Sequence, residues 1–326
     1  MDAMENKVKR IGVLTSGGDA PGMNCAIRAV ARTAAAMGIE CVGIKRGYHG
    51  LIAGDMSPLS PNDVNSILSR GGTVLYTARS SEFLTEEGQK RAADNCKFLG
   101  IEGIIAIGGD GTFRGALALA RQGISVVGIP ATIDNDIACT KYTIGFDTAC
   151  NTALDCVDKL RDTMKSHERC SVIEVMGHRA GYLAIHVGIA AGATAVVIPE
   201  QELDFDRDIL DRIRAARLKG RNHFLIVVAE GAGSANEIGE RIGQAVGVDT
   251  RVTILGHVQR GGSPLTRDRV IASSMGYEAV RVLAEGRTNR IVCYDGCKCF
   301  DMDIEEALSM SKGLDEETLQ LVATIS

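Results

Sequence analysis

The feature that most constrains this chain is a recurring module: a short Val/Ile-rich run, a glycine-rich turn, then an amphipathic segment. Arg10–Thr15 (RIGVLT) leads into SGGDAPGMN and a helix expected through Ala36. Cys41–Lys45 is a second run. Ile104–Ile107 enters GGDGT and a helix over Phe113–Arg121, and Ile124–Ile129 ends in PATIDND. The second half repeats the rhythm. Helices are expected near Ala149–Ser166, Leu183–Ala191, Asp206–Leu218 and after Pro264, with strands at Ser171–Val175, Ala195–Ile198, Phe224–Ala229 and Arg251–Leu255. Runs this apolar read as strands buried on both faces, and their alternation with helices predicts parallel sheets. The fold class is α/β, with two doubly wound domains and ligands at the strand C-terminal ends, in the cleft between the domains.

Size and composition agree. The 326 residues suit two α/β domains, here placed at 1–145 plus 259–309 and at 146–258 plus 310–326. A net charge of -5 argues against nucleic acid as a partner, so anionic ligands need local basic pockets. No stretch approaches the ~20 apolar residues of a membrane span. The start, MDAMENKVKR, lacks the apolar core of a signal peptide, so no membrane partner and a cytoplasmic location are expected. The ten cysteines are scattered through apparent helices and strands; Cys293, Cys297 and Cys299 cluster without a nearby His and read as reduced thiols. With no Trp and 38 Gly, the backbone must approach ligands or itself closely at several places.

Five segments carry chemistry. In Thr15–Asn24 (TSGGDAPGMN), glycine lets backbone N–H groups approach phosphate oxygens at a helix start, although a tight turn would look the same. The segment matches neither the G-x-G-x-x-G nor the GK[ST] phosphate motif. Gly108–Thr112 (GGDGT) sets one carboxylate among glycines, which suits Mg²⁺ beside nucleotide phosphates; NAD kinases and lipid kinases share this signature. Thr132–Asp136 (TIDND) puts two carboxylates two residues apart at a strand end, for a base and a metal helper, or for an Asx-rich turn. His257–Pro264 (HVQRGGSP) combines imidazole and guanidinium beside a glycine pair and, with Arg251, reads as a dianionic phosphate pocket. Gly71–Thr73 (GGT) precedes Arg79, and Arg169 follows a helix end; either arginine alone is also an ordinary surface charge.

Together TSGGDAPGMN, RGGT, GGDG, TIDND, VMG and GHVQRGGSP resemble, in order and spacing, the bacterial-type ATP-dependent 6-phosphofructokinases, from Ile11 to about Gly313. The resemblance implies transfer of the γ-phosphoryl of Mg-ATP to the 1-hydroxyl of fructose 6-phosphate, a glycolytic step. It names the first domain ATP-binding and the second sugar-phosphate-binding. Gly18, Tyr48, Arg79, Ser80, Gly109, Asp110, Gly111, Thr112 and Gly115 would contact ATP, and Asp110 would hold Mg²⁺. Asp134 would be the general base, with Arg79, Thr132 and Gly18 in the catalytic set. Thr132, Asp136, Met176, Gly177, His178 and Glu230 would hold the sugar, and Arg251, His257 and Arg260 its 6-phosphate. Arg169 and Arg251 would reach into a neighbouring subunit of a homotetramer. Arg28, Arg32, Arg161, Lys219 and Arg221 match an effector pocket.

Two departures stand out. His178 and Arg179 follow VMG where the family has Arg first. Pro61 and Thr194 replace an Arg and a Glu of the effector pocket, which leaves activation by ADP in doubt. The alternatives are a pyrophosphate-dependent relative and a catalytically silent phosphate-sensing subunit. Pyrophosphate users carry Asp at the position of Gly111 and Lys at that of Ala131, so both residues favour ATP here.

Overall fold

A computed structural model describes residues 8–325. In chain order the elements are β1 (Arg10–Thr15), α1 (Met23–Ala36), β2 (Glu40–Ile44), α2 (Gly47–Ala53), β3 (Met56–Pro58), α3 (Glu86–Phe98), β4 (Gly103–Gly108), α4 (Asp110–Arg121), β5 (Ser125–Pro130) and α5 (Phe146–Ser166). They continue as β6 (Cys170–Val175), α6 (Tyr182–Ala191), β7 (Ala195–Val197), α7 (Asp211–Leu218), β8 (Phe224–Ala229), α8 (Ala235–Val246), β9 (Thr250–Ile254), α9 (Thr266–Ala284), β10 (Arg290–Tyr294), β11 (Cys299–Asp303), α10 (Ile304–Ser309) and α11 (Glu316–Ile325). Among the described residues, no helix is long and apolar enough to cross a membrane.

Contacts divide the chain into two compact units. One runs through Thr132 and adds Ile137–Asp147 and Arg260–Lys312; the other holds Ile133–Asp136, Thr148–Gln259 and the residues from Gly313 on. Three crossings fall within three residues of the expected ones, for local reasons, but Ile133–Asp136, expected in the first domain, belongs to the second unit. Gln259 joins the second unit because its side chain accepts from the Met176 N–H (3.3 Å) and donates to the Gly256 carbonyl (3.0 Å). Lys312 stays with the first because its ammonium donates to the Thr140 carbonyl (3.0 Å).

The first unit contains a seven-stranded sheet in the order β11-β10-β5-β4-β1-β2-β3, parallel except at its two outer strands. Val/Ile side chains alternate across the pleat, so consecutive residues feed both faces. On one face Leu14, Ile44 and Ile104 share a core with Tyr48, Leu51, Phe113 and Leu119 from α2 and α4. α1 and α9 pack together and cover the other. Because β2 and β4 flank β1, the chain leaves β1 in one direction and returns on its other side. Loops after β1 and β4 therefore diverge at a switch point, where open α/β sheets bind ligands.

The second unit contains a four-stranded, wholly parallel sheet, β7-β8-β6-β9. Its core joins Val172, Ile226 and Val228 to Phe205, Ile209, Ile238 and Ile242. Here the chain departs from the expected regular helix: Asp206–Leu210 is a π-helical turn, and α7 begins only at Asp211. In the first unit α4 begins at Asp110, three residues before the expected Phe113, so Asp110 lies in the helix's first turn. All ten cysteines are unpaired, and no group of three metal-ligating side chains occurs among the described residues.

One buried carboxylate ties α9 to the returning segment of the first unit. Asp268, fully buried, accepts from the Tyr142 hydroxyl (2.9 Å) and the Gly145 N–H (2.6 Å). Burial, and then the Asp268 charge, push the Tyr142 phenol far above its ordinary pKa, so it remains a donor. Leaving two buried donors unmatched costs about 1–3 kcal/mol each. Asp268→Ala is therefore expected to lower the unfolding free energy by at least ~2 kcal/mol in urea titrations. A loss under ~0.5 kcal/mol, the range of ordinary surface changes, would contradict this.

Candidate active site

In the first unit, the turns after β1 and β4 are braced against one another. Thr112 Oγ1 donates to the Ser16 carbonyl (3.0 Å), and Ser16 N–H to that of Ile107 (3.0 Å). The loop carrying Arg79 is tied to the same place. Thr15 Oγ1 meets Thr73 Oγ1 (2.8 Å) and donates to the Tyr76 carbonyl (2.9 Å), and Thr77 Oγ1 donates to the Gly17 carbonyl (2.7 Å). Asn24 clamps the loop from α1, accepting from Val74 N–H (2.8 Å) and donating to the Arg70 carbonyl (3.0 Å).

α1 and α4 start at Gly22 and Gly109 with no side-chain cap, as do α2, α6, α7 and α9, but only these two follow the glycine turns after β1 and β4. Uncapped N–H groups and the positive end of the helix dipole suit phosphate. Asp110 and Gly111 at the mouth of α4 are exposed, and a Cβ added at Gly111 would meet only open space. Asp110 forms an exposed ion pair with Arg114 (2.9 Å), a kind worth only ~0–1 kcal/mol and easily exchanged for a cation. A single solvent-facing carboxylate whose pairing is this weak fits Mg²⁺, which keeps several waters and takes its other ligands from phosphates.

Other predicted residues support this frame. The Tyr48 hydroxyl donates to the Thr112 carbonyl (2.5 Å), its ring stacks on Phe83 (4.2 Å), and burial keeps it protonated. A Cβ at Gly115 would lie 2.5 Å from that ring. Tyr48 and Gly115, expected at the nucleotide, thus pack on each other beneath the first turn of α4. Ser80 Oγ accepts from Phe83 N–H (3.2 Å), and Arg79 beside it is exposed. Arg260, expected at the sugar phosphate, lies over the β1 turn. It donates to the Asp19 carbonyl (3.2 Å), and its Nη1 would be 2.5 Å from a Cβ at Gly18, so a side chain there would displace the guanidinium. Thr132, at the end of β5, neighbours Gly109, and its carbonyl accepts from Thr143 Oγ1 (2.7 Å).

In the second unit, the ends of β6, β8 and β9 present a separate group. Gly177 (φ 140) and His178 (φ 56) make a sharp turn after β6. Glu230, following β8, accepts from His178 N–H (2.7 Å) and holds that turn. His178, Arg179 and His257 are exposed; Met176 is buried, its N–H taken by Gln259. Asp134 is buried (8% exposed) and Asp136 exposed, on either side of Asn135 with φ 50.

Two predicted residues do not join this group. Arg169 precedes β6, and Arg251 pairs with Ser171 at that strand's start. Both bond Asp249, at 2.6 and 3.3 Å. A six-residue strand is about 17–20 Å long, so neither arginine reaches Met176 or Glu230 of its own sheet. The basic residues Arg161 and Arg221 do gather. Burial, and then Lys165, Arg161 and Arg221, lower the pKa of His223 between them. Thr194 is occupied in the sheet, where its Oγ1 accepts from Leu225 N–H (3.2 Å). Arg28 and Arg32 share a face of α1, and Arg32 donates to Asn65 Oδ1 (3.1 Å).

Asp249 and Gln259 hold predicted site residues through hydrogen bonds and were passed over by sequence reasoning. Gln259 lay inside the quoted QRGGSP run, and its total burial was invisible there. Asp249 had only its place beside the strand that carries Arg251 to signal it.

Comparison with known proteins shows the family. Residues 10–283 match the family model described as phosphofructokinase. An ATP-dependent 6-phosphofructokinase of Clostridium botulinum (strain Hall) is 50% identical over 319 residues, 98% of this chain and 100% of that protein. Among solved structures, phosphofructokinase from Saccharomyces cerevisiae superposes with a TM-score of 0.88 at 34% identity over 96% of this chain; the chain spans 47% of that longer one. A pyrophosphate-dependent phosphofructokinase from Marinobacter aquaeolei matches with a TM-score of 0.83 at 20% identity, over 98% of this chain and 91% of that one, and shares the fold.

The His178 turn is testable by itself. A Cβ at Gly231 would run into the His178 carbonyl oxygen. Gly231→Ala is expected to cost about 1–3 kcal/mol in urea denaturation, as overpacking does. Glu230→Gln keeps an acceptor for the same N–H, so it should cost less than Glu230→Ala. The reverse order would mean that the carboxylate does not set the turn.

Proposed function

The chain belongs to the phosphofructokinase family, and we propose the residue roles by which it works as an ATP-dependent 6-phosphofructokinase. The observation that carries the activity is the 50% identity to such an enzyme over that enzyme's whole length. The reaction moves the γ-phosphoryl of ATP to the 1-hydroxyl of fructose 6-phosphate and releases ADP.

The first unit is the donor side. N–H groups of the β1 turn and of the first turn of α4 receive the phosphates, and Arg79 adds positive charge to the oxygens that the transition state loads. Asp110 holds Mg²⁺, which when bound neutralises charge on the β- and γ-phosphates. Tyr48 and Gly115 act beneath, holding Thr112 in place. Open space at Gly111 and the small, buried Ala131 leave room for the α-phosphate and add no charge, which supports ATP over pyrophosphate.

Most acceptor-side residues come from the second unit, with Thr132 and Arg260 from the first. Asp134 takes the proton of the 1-hydroxyl as its oxygen bonds the γ-phosphorus and the bond to the β-phosphate oxygen breaks. Thr132 and Asp136 orient that hydroxyl. Met176 and the turn held by Glu230 seat the sugar, and the exposed Arg179 offers a guanidinium beside His178. His257 and Arg260 hold the 6-phosphate. Arg260 also braces Gly18 and Asp19, so its loss should weaken both substrates.

Arg169 and Arg251 stand at the far end of their own sheet, which supports a homotetramer in which they complete a neighbour's site. Arg161, Lys219 and Arg221 are assigned to an anion-binding effector region in which Thr194 supplies no carboxylate, and Arg28 and Arg32 are assigned effector contacts of their own. Ten unpaired cysteines favour a reducing compartment, the cytoplasm.

A coupled assay with fructose 6-phosphate and Mg-ATP tests the reading. Asp134→Asn keeps the shape and removes the proton acceptor, so kcat should fall by about 10²–10⁴ with a much smaller change in KM. A variant keeping over half its activity would sink Asp134 as the base. Sharing between copies has its own test. Asp134→Asn and Arg251→Ala proteins, each impaired, should recover activity when unfolded and reassembled together, because some sites then receive both native residues. No recovery, with tetramers formed, would refute the sharing.

A further inference from the structure

The loop between Thr73 and Arg79 holds a side chain that the donor-side roles leave unused. Tyr76 sits at φ 56, in the left-handed region that bulky side chains avoid and glycine adopts freely. Its side chain is unburied as well, with 56% of the residue exposed. Strain and an exposed aromatic at one position would both be relieved by glycine. Such a conformation persists where surrounding structure enforces it, and it clusters at ligand sites.

The enforcement is visible. The Tyr76 carbonyl accepts from Thr15 Oγ1 (2.9 Å), and its N–H donates to the Thr73 carbonyl (3.2 Å). The next residue, Thr77, is bonded to Gly17. The backbone of Tyr76 is thus fastened directly to the phosphate turn after β1. Its ring is also backed. The Arg46 guanidinium lies over it, 5.6 Å from the centroid. Arg46 is itself left-handed (φ 60), donates its N–H to the Leu75 carbonyl (2.8 Å) and is paired with Asp55. Two residues on, Tyr48 bonds the Thr112 carbonyl in α4. The Arg46–Tyr76 pair is therefore anchored to both phosphate turns.

We propose that Tyr76, backed by Arg46, is a stacking platform for the purine of the nucleotide donor, and so a determinant of nucleotide over inorganic phosphate donors. An aromatic ring polarised by a cation on one side offers a flat surface that a base covers well, and a polyphosphate without a base gains nothing from it. The inference rests on the donor-side assignment above, with Tyr76 as an additional contact.

Calorimetric binding of ADP and of tripolyphosphate to the full chain separates base from phosphate recognition. Tyr76→Gly should weaken ADP by roughly tenfold or more, the scale of losing one base–aromatic stack, and leave tripolyphosphate unchanged. Tyr76→Phe should restore ADP binding. Urea denaturation of Tyr76→Gly should show no loss of stability, because the strain is gone. Unchanged ADP binding would overturn the platform. So would equal weakening of both ligands, which would make Tyr76 a brace of the phosphate turn only. Wild-type protein that binds ADP yet fails to phosphorylate fructose 6-phosphate would defeat the enzymatic reading, while the ADP comparison would still decide the role of Tyr76.

Discussion

The parallel pairing of β1 with β4 sets where every phosphate-facing group of the first unit can stand. Register places Thr15 opposite Ile107, so the two strands end together and their glycine turns emerge side by side. β2 lies on the far side of β1, so the strand order reverses here, at the kind of switch point where open α/β sheets bind ligands. The hydroxyls of Thr112, Thr15 and Thr77 then lock those turns by donating to the Ser16, Tyr76 and Gly17 carbonyls, and Thr15 also meets the Thr73 hydroxyl. Hydroxyls suit this work because they satisfy buried carbonyls without adding charge beside an anion site.

Charge is divided according to how much solvent each group keeps. Asp268 is fully buried and doubly bonded, so it contributes to stability through two donors that would otherwise be stranded. Asp110 is exposed in a weak pair with Arg114 and can change partners at little cost. Arg260 falls between these extremes, half-buried over Gly18. One of the three is locked inside the fold, one stands in solvent with an exchangeable partner, and one braces a turn at the edge of solvent.

The second sheet imposes a limit of length. Residues after β6, β8 and β9 share one end, while Arg169 and Arg251 share the other through Asp249. No rotamer change spans a strand of that length, so these arginines cannot join the groups that follow β6 and β8 in their own sheet.

The sequence alone determined the α/β class, the parallel strands and the five motif segments. Their signals are local: buried strands read as Val/Ile runs such as Ile104–Ile107, and phosphate turns read as glycine between strand and helix. Short or polar elements were not legible, among them α2, β3, β10 and β11, because their stability comes from neighbours rather than from their own pattern. Only the tertiary structure decided that Arg260 lies over Gly18, that Tyr48 supports α4 from below, and that Gln259 is buried as a staple for Met176. It alone showed Tyr76 held at a positive φ by hydrogen bonds from residues far away in sequence. The reason is physical: periodicity and turn chemistry report what a segment does with its immediate neighbours. Burial, strain and the partner of each polar group depend on segments such as 15 and 76, or 176 and 259, that meet only when the chain has folded.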